Sequence, residues 1–174
     1  MIHWLYLISV WLHILAATAW VGGMFFLVLV VVPWLRHANR ADAGAFWTAT
    51  GTRFRVIGWT CFAISLTTGT FVLYLRGVRF SDFAIAGWRA SPFGQTVMLK
   101  LGVFAAVLAT SIAHDFVVGP RAARALAQVS ETGTPAQAHA TRLRRQASWL
   151  GRINAVLALV LVALAVMLVR GRPW

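Results

Sequence analysis

Residues 3–34 read HWLYLISVWLHILAATAWVGGMFFLVLVVVPW and contain no Asp, Glu, Lys or Arg. A helix needs about 20 residues to cross a hydrocarbon core. At roughly 1.5 Å per residue this stretch is about 48 Å long, so it must tilt or project beyond the bilayer. A cleaved secretory signal is not expected, because Met1-Ile2-His3 carries no Lys or Arg and the apolar run is far too long. The segment is read as an anchor, with an imidazole, His13, kept inside it.

Working outward, the apolar runs fall at about 4–35, 56–75, 95–118 and 149–169. They predict an all-α membrane protein: a four-helix transmembrane bundle forming a single domain over residues 1–174. Sixty per cent of the chain is hydrophobic and 11% charged, far from the balance of a water-soluble domain. The net charge of +12 comes from Arg clusters directly at the span ends, where anionic headgroups favour them. No basic stretch is interleaved with aromatics, so no nucleic-acid partner is expected. Cys61 is the only cysteine, which excludes disulfide frameworks and CxxC motifs.

Arg36, Arg40, Arg53, Arg55, Arg121, Arg124, Arg142, Arg144, Arg145 and Arg152 flank loops 1–2 and 3–4. Arg76, Arg79, Arg89, Arg170 and Arg172 lie on the opposite side. Ten against five places the two richer loops in the cytoplasm and both termini on the periplasmic side. Trp4, Trp34, Trp88, Trp149 and Trp174 fall near predicted interfaces, whereas Trp11, Trp20 and Trp59 lie deeper. Residues 119–150, GPRAARALAQVSETGTPAQAHATRLRRQASWL, read as two helical extensions around an ETGTP turn. In loop 2–3, Phe80, Phe83 and Trp88 suit an interfacial segment.

Polar groups at depth carry the functional argument, since burying them in lipid is costly. Taking Trp20, Leu66, Val107 and Val160 as midplane, His13, Lys100 and Met167 each lie seven residues outward, about 10 Å by helical rise. His114 lies about 10 Å toward the cytoplasm, near Asp115, Arg55, Arg152 and Asn154. Two layers about 20 Å apart cannot share one iron, and two intramembrane His are too few for a two-haem bis-His cytochrome. In the outer layer His13 is a candidate metal or haem ligand, with Met167 and Met98 as thioether partners suited to Cu(I) or haem iron. Ala16, Ala17, Gly22 and Gly23 would admit a close helix or a flat cofactor; packing alone is the competing reading. Lys100 either snorkels or positions an anion. In the inner layer His114 is a second candidate ligand or a structural hydrogen-bonding group. Asp115 is expected to pair with Arg152 or Arg55, because adjacent helical residues point about 100° apart. The Met1-Ile2-His3 terminus could wrap Cu(II) in a square plane, through the amine, two amides and the His3 ring.

Four acidic residues leave no carboxylate pair for acid–base work, and no P-loop, GxGxxG or GxSxG pattern is present. Catalysis, if any, would be carried by a bound cofactor, as in a haem-dependent membrane oxidoreductase.

LHILAATAWVGGMFF (12–26), with its His followed by W-x-G-G, resembles the first helix of the CopD family of bacterial copper-resistance membrane proteins. GTRFRVIGWTCFAISLTTGTFVLY (51–74) is similar to the family's R-F…T-G second helix. VMLKLGVF with SIAHDFVVGPRAARAL resembles the third, and LRRQASWLGRINAVLALVLVALAV the fourth. The resemblance implies a four-helix protein of the bacterial inner membrane linked to copper uptake or export, with His13, Trp20, Gly22, Gly23, Lys100 and His114 as the matching positions. More distantly the chain is similar to the membrane protoporphyrinogen oxidases, which implies haem b as the alternative cofactor. The expected function is copper handling; the alternatives are a b-type haem redox protein and a small subunit or assembly factor of a respiratory complex. Expected partners are the lipid bilayer, a metal ion or haem, a second copy of the chain and a periplasmic copper carrier.

Overall fold

The computed structural model describes residues 2–37, 40–122, 124–125 and 134–171. Among these residues every regular element is helical and none is a strand. Four helices are long and apolar enough to cross a membrane: Ile2–Leu35, Ala49–Leu75, Pro92–Ala122 and Ala138–Arg170. Such a chain is a multi-pass membrane protein in contact with lipid. Large aliphatic side chains that would be anomalous in water, such as Leu5, Ile8 and Leu15 or Val156, Leu159 and Val162, lie exposed along these helices.

The chain divides into two compact units, Met1–Arg89 and Ala90–Trp174. The first is a helical hairpin. α1 (Ile2–Phe26) runs through a wide π-turn (Leu27–Val31) into α2 (Val32–His37), and α3 (Arg40–Leu75) returns along α1. Partner numbers fall along α3 as they rise along α1: Tyr6 meets Arg76, His13 meets Thr68, Trp20 meets Gly58 and Phe62, and Gly23 meets Phe54. That order makes the pair antiparallel. The buried stripe on α1 is Ala16, Trp20 and Met24, spaced by four as one helix face requires. Helix α3 starts well before the apolar run at 56, because Arg40–Arg55 is rich in helix-forming Ala and Arg and continues the helix into the polar zone.

The far end of α3 closes with Gly77 at φ +86, where the Gly77 N–H reaches the Tyr74 carbonyl and the Val78 N–H the Leu73 carbonyl, both at 3.1 Å. Arg76 donates to the Tyr6 hydroxyl at 3.1 Å, and the Arg79 guanidinium lies 4.1 Å above the Tyr74 ring. A 3-10 turn (Phe80–Ala84) follows, its start capped by the Asp82 carboxylate, which accepts from the Arg79 N–H at 2.7 Å. Then comes the short α4 (Ala86–Ala90), with the Phe83 and Trp88 rings 4.9 Å apart and Phe80 exposed.

In the second unit α5 (Pro92–Ile112) starts at a Ser91 cap that accepts from the Gly94 N–H at 3.0 Å, with Pro92 in the first turn. It continues through a π-turn (Ala113–Val118) into helical residues 119–122 and 124–125, and packs on α6 (Thr134–Arg170). Val107 and Ala158 have no exposed surface and mark the centre of this pair. The expected turn around ETGTP lies mostly outside the described residues. Both π-turns have the same local cause. Pro33 and Pro120 lack an N–H and would clash with the carbonyl four residues back. In each case the residue just before the proline reaches five back instead: the Val32 N–H to Leu27 O, and the Gly119 N–H to His114 O.

Candidate functional site

The imidazole of His13 is half-buried against α3. Its Nδ1 lies 3.0 Å from the Thr68 hydroxyl, and the same hydroxyl donates to the Ile64 carbonyl one turn back at 2.5 Å. A Cβ on Gly69 would stand 3.2 Å from His13 Cε1 and 3.6 Å from Nδ1. Glycine at 69 is therefore the notch that admits the ring, and Thr68 is the hydroxyl at its edge. Both lie in the T-G pair of the second-helix pattern, but LTTGT offers three threonines and nothing local says which one faces α1.

Lower on the same seam Trp20 is 8% exposed and meets Phe62 edge-on, with ring centroids 4.9 Å apart. Gly58 leaves the space into which Trp20 Cδ1 packs, 3.7 Å from where a Cβ would be. A Cβ on Gly23 would sit 2.7 Å from Phe54 Cε2, so that glycine seats the Phe54 ring; one on Gly22 would meet nothing within 4 Å. The H…W-x-G-G pattern of α1 and the R-F…G…T-G pattern of α3 are thus two halves of one interlocking seam. Arg55 is half-buried on α3, and His3 is exposed in the first turn of α1; Met1, its neighbour in the expected Cu(II) chelate, lies outside the described residues.

In the second unit the polar layer is built around the π-turn. His114 Nδ1 lies 2.9 Å from Asp115 Oδ1. A carboxylate only accepts, so the ring donates to it. The two adjacent side chains, expected to diverge by about 100° on an α-helix, meet where the helix widens. Gly119 belongs to this geometry, since a Cβ there would come within 2.8 Å of the His114 carbonyl oxygen. One turn earlier, Asn154 of α6 is buried between Thr110, which donates to its Oδ1, and Ser111, whose hydroxyl accepts from its Nδ2 at 2.9 Å. Thr110 and Ser111 were not singled out by sequence; the available signal was their position three and four residues before His114, on its own face. Arg152 is exposed, with its guanidinium 5.5 Å over the Trp149 ring. Lys100 and Met167 are half-buried and Met98 is exposed.

Among the described residues no group of three or more His, Cys, Asp or Glu is placed to hold a metal ion. The donors present are single imidazoles and thioethers. Imidazole and thioether donors suit soft or borderline ions, whereas a hard-cation centre would take six or more oxygens.

The family described as "Copper resistance protein D" matches residues 48–168. That match starts after the first span, so it contains Phe54, Gly58, Thr68 and Gly69 but not the Gly23, Trp20 and His13 they meet. A protein of Aquifex aeolicus (strain VF5), described only as uncharacterized, is 34% identical over 155 residues, covering 89% of each chain. No solved structure matches the chain. The matched segment takes in most of α3, all of α4 and α5, and α6 as far as residue 168, and the chain belongs to the copper resistance protein D family.

Proposed function

We propose that this protein handles copper at the bacterial inner membrane, binding the ion during its passage across or into the bilayer. The observation that carries the reading is the seat of His13: an imidazole inside an apolar helix, lodged in a notch at Gly69 and held by Thr68, in a chain of this family. An imidazole is costly to bury in lipid, so its retention in this apolar helix supports a functional role. His13 is the ligand toward the N-terminal side of the first unit. His114, backed by the Asp115 carboxylate, is the ligand of the second unit, in the manner of metal-binding imidazoles whose other nitrogen is tied to an acceptor. Met167 and Met98 supply thioether sulfur, which favours Cu(I). Both termini face the periplasm, where a copper carrier would deliver or collect the ion.

Copper titration of the purified full-length protein tests this, with His13→Ala and His114→Ala beside the wild type. Each variant is expected to lose bound copper, and unchanged stoichiometry in both would remove the reading. A Soret band in the same preparation, shifting on reduction, would move the assignment to haem b.

A further inference from the structure

The hydrogen count around Thr68 carries more than its contact with His13. A threonine hydroxyl owns one hydrogen. Its oxygen stands 2.5 Å from the Ile64 carbonyl oxygen, a separation at which two oxygens attract only if a hydrogen lies between them. The carbonyl has none to give, so the Thr68 hydrogen is committed there, the back-bond to the preceding turn usual for threonine within a helix. Toward His13 the same oxygen can only accept. The 3.0 Å contact is therefore His13 Nδ1–H donating to Thr68 Oγ1, and in the neutral ring the lone pair belongs to Nε2.

We propose that Thr68 is a positioning residue that holds His13 as the Nδ1–H tautomer and so makes Nε2 its metal-binding atom. Gly69 is the other half of the device. By leaving the ring 3.2 Å from where a side chain would begin, it lets the imidazole approach α3 closely enough for Nδ1 to reach the hydroxyl. A ligating histidine whose second nitrogen is so tied has its tautomer and ring plane set before the ion arrives. The tautomer assignment stands without copper; only its consequence for affinity rests on the function proposed above.

The test uses the full-length protein with 15N-labelled histidine at a pH where the ring is neutral, the His13 signals being identified by their loss in His13→Ala. Wild type is expected to show His13 protonated at Nδ1. Thr68→Val keeps the shape, removes the acceptor, and is expected to shift His13 toward the Nε2–H form. Thr68→Ser restores the oxygen and the wild-type spectrum. An Nε2–H ring in wild type, or a spectrum indifferent to Thr68→Val, overturns the proposal. Copper titration gives the second readout: affinity falls about 10- to 100-fold in Thr68→Val and returns in Thr68→Ser. Equal affinity in Thr68→Val and wild type overturns the positioning role. Wild type that binds no copper while the tautomer behaves as described supports the tautomer and defeats the copper function.

Discussion

Gly22 and Gly23 are neighbours in sequence with opposite surroundings, so each serves as the control for the other. A methyl added at 23 would stand 2.7 Å from Phe54 Cε2, whereas one at 22 would meet nothing within 4 Å. Carbon atoms rest at about 3.5 Å or more, so the Gly23→Ala methyl must displace the Phe54 ring or the helix by about 0.8 Å. Overpacking of that kind costs about 1–3 kcal/mol. Both substitutions also gain about the same helix propensity, roughly 1 kcal/mol, which cancels in the comparison. Gly23→Ala is therefore expected to be less stable than Gly22→Ala by about 1–3 kcal/mol, a factor of about 5 to 150 in the folded-to-unfolded ratio. Reversible unfolding in mixed micelles, followed by tryptophan fluorescence, measures the difference. The deficit of Gly23→Ala should shrink in a Phe54→Leu background, since the two residues share one contact. Two single variants agreeing within about 0.5 kcal/mol, the scatter of independent sites, would refute the interlocking seam.

Asn154→Leu is expected to lower the unfolding free energy by about 1 kcal/mol, because hydrogen bonds between membrane helices average well under that each. Without Asn154 the Thr110 hydroxyl can turn its one hydrogen to the Ala106 or Val107 carbonyl, so a loss several times larger in the same unfolding assay would overturn this account. Gly119→Ala forces the His114 carbonyl out of the π-turn and should break the His114–Asp115 contact, read as a changed 15N signal of His114; an unchanged signal would remove the role given to that glycine. With Cys61 replaced by Ser, a cysteine at position 3 should react with an impermeant maleimide in intact spheroplasts and one at position 138 should not. The reverse pattern inverts the orientation drawn from the Arg count.

The four spans are legible because lipid imposes a simple rule: twenty or so apolar residues in a row have few other uses. The extensions beyond them are less so. Arg40–Arg55 reads as a charged connection, yet its Ala and Arg content carries the helix on. The seat of His13 is not legible at all from local pattern, since Thr68 is 55 residues away and is one of three threonines in a four-residue stretch. A route to it did exist. Pairing W-x-G-G against R-F in an antiparallel hairpin sets the register, and counting ten residues back from Gly23 and ten on from Phe54 brings His13 level with Ile64, one helical turn short of the T-G pair. The meeting of His114 and Asp115 escaped for a different reason. The 100° rule assumes an α-helix, while Gly119-Pro120, five and six residues downstream of His114, announces a wider turn.

The hollow at Gly69 also works as a marker. The family match begins at residue 48 of this chain, so its opening helix lies outside the matched segment. A chain with Val or Leu in place of that glycine would crowd an imidazole across from it, and the ring would have to shift away from α3. One hydrogen atom as a side chain thus marks the homologues in which the ring can seat as closely as it does here.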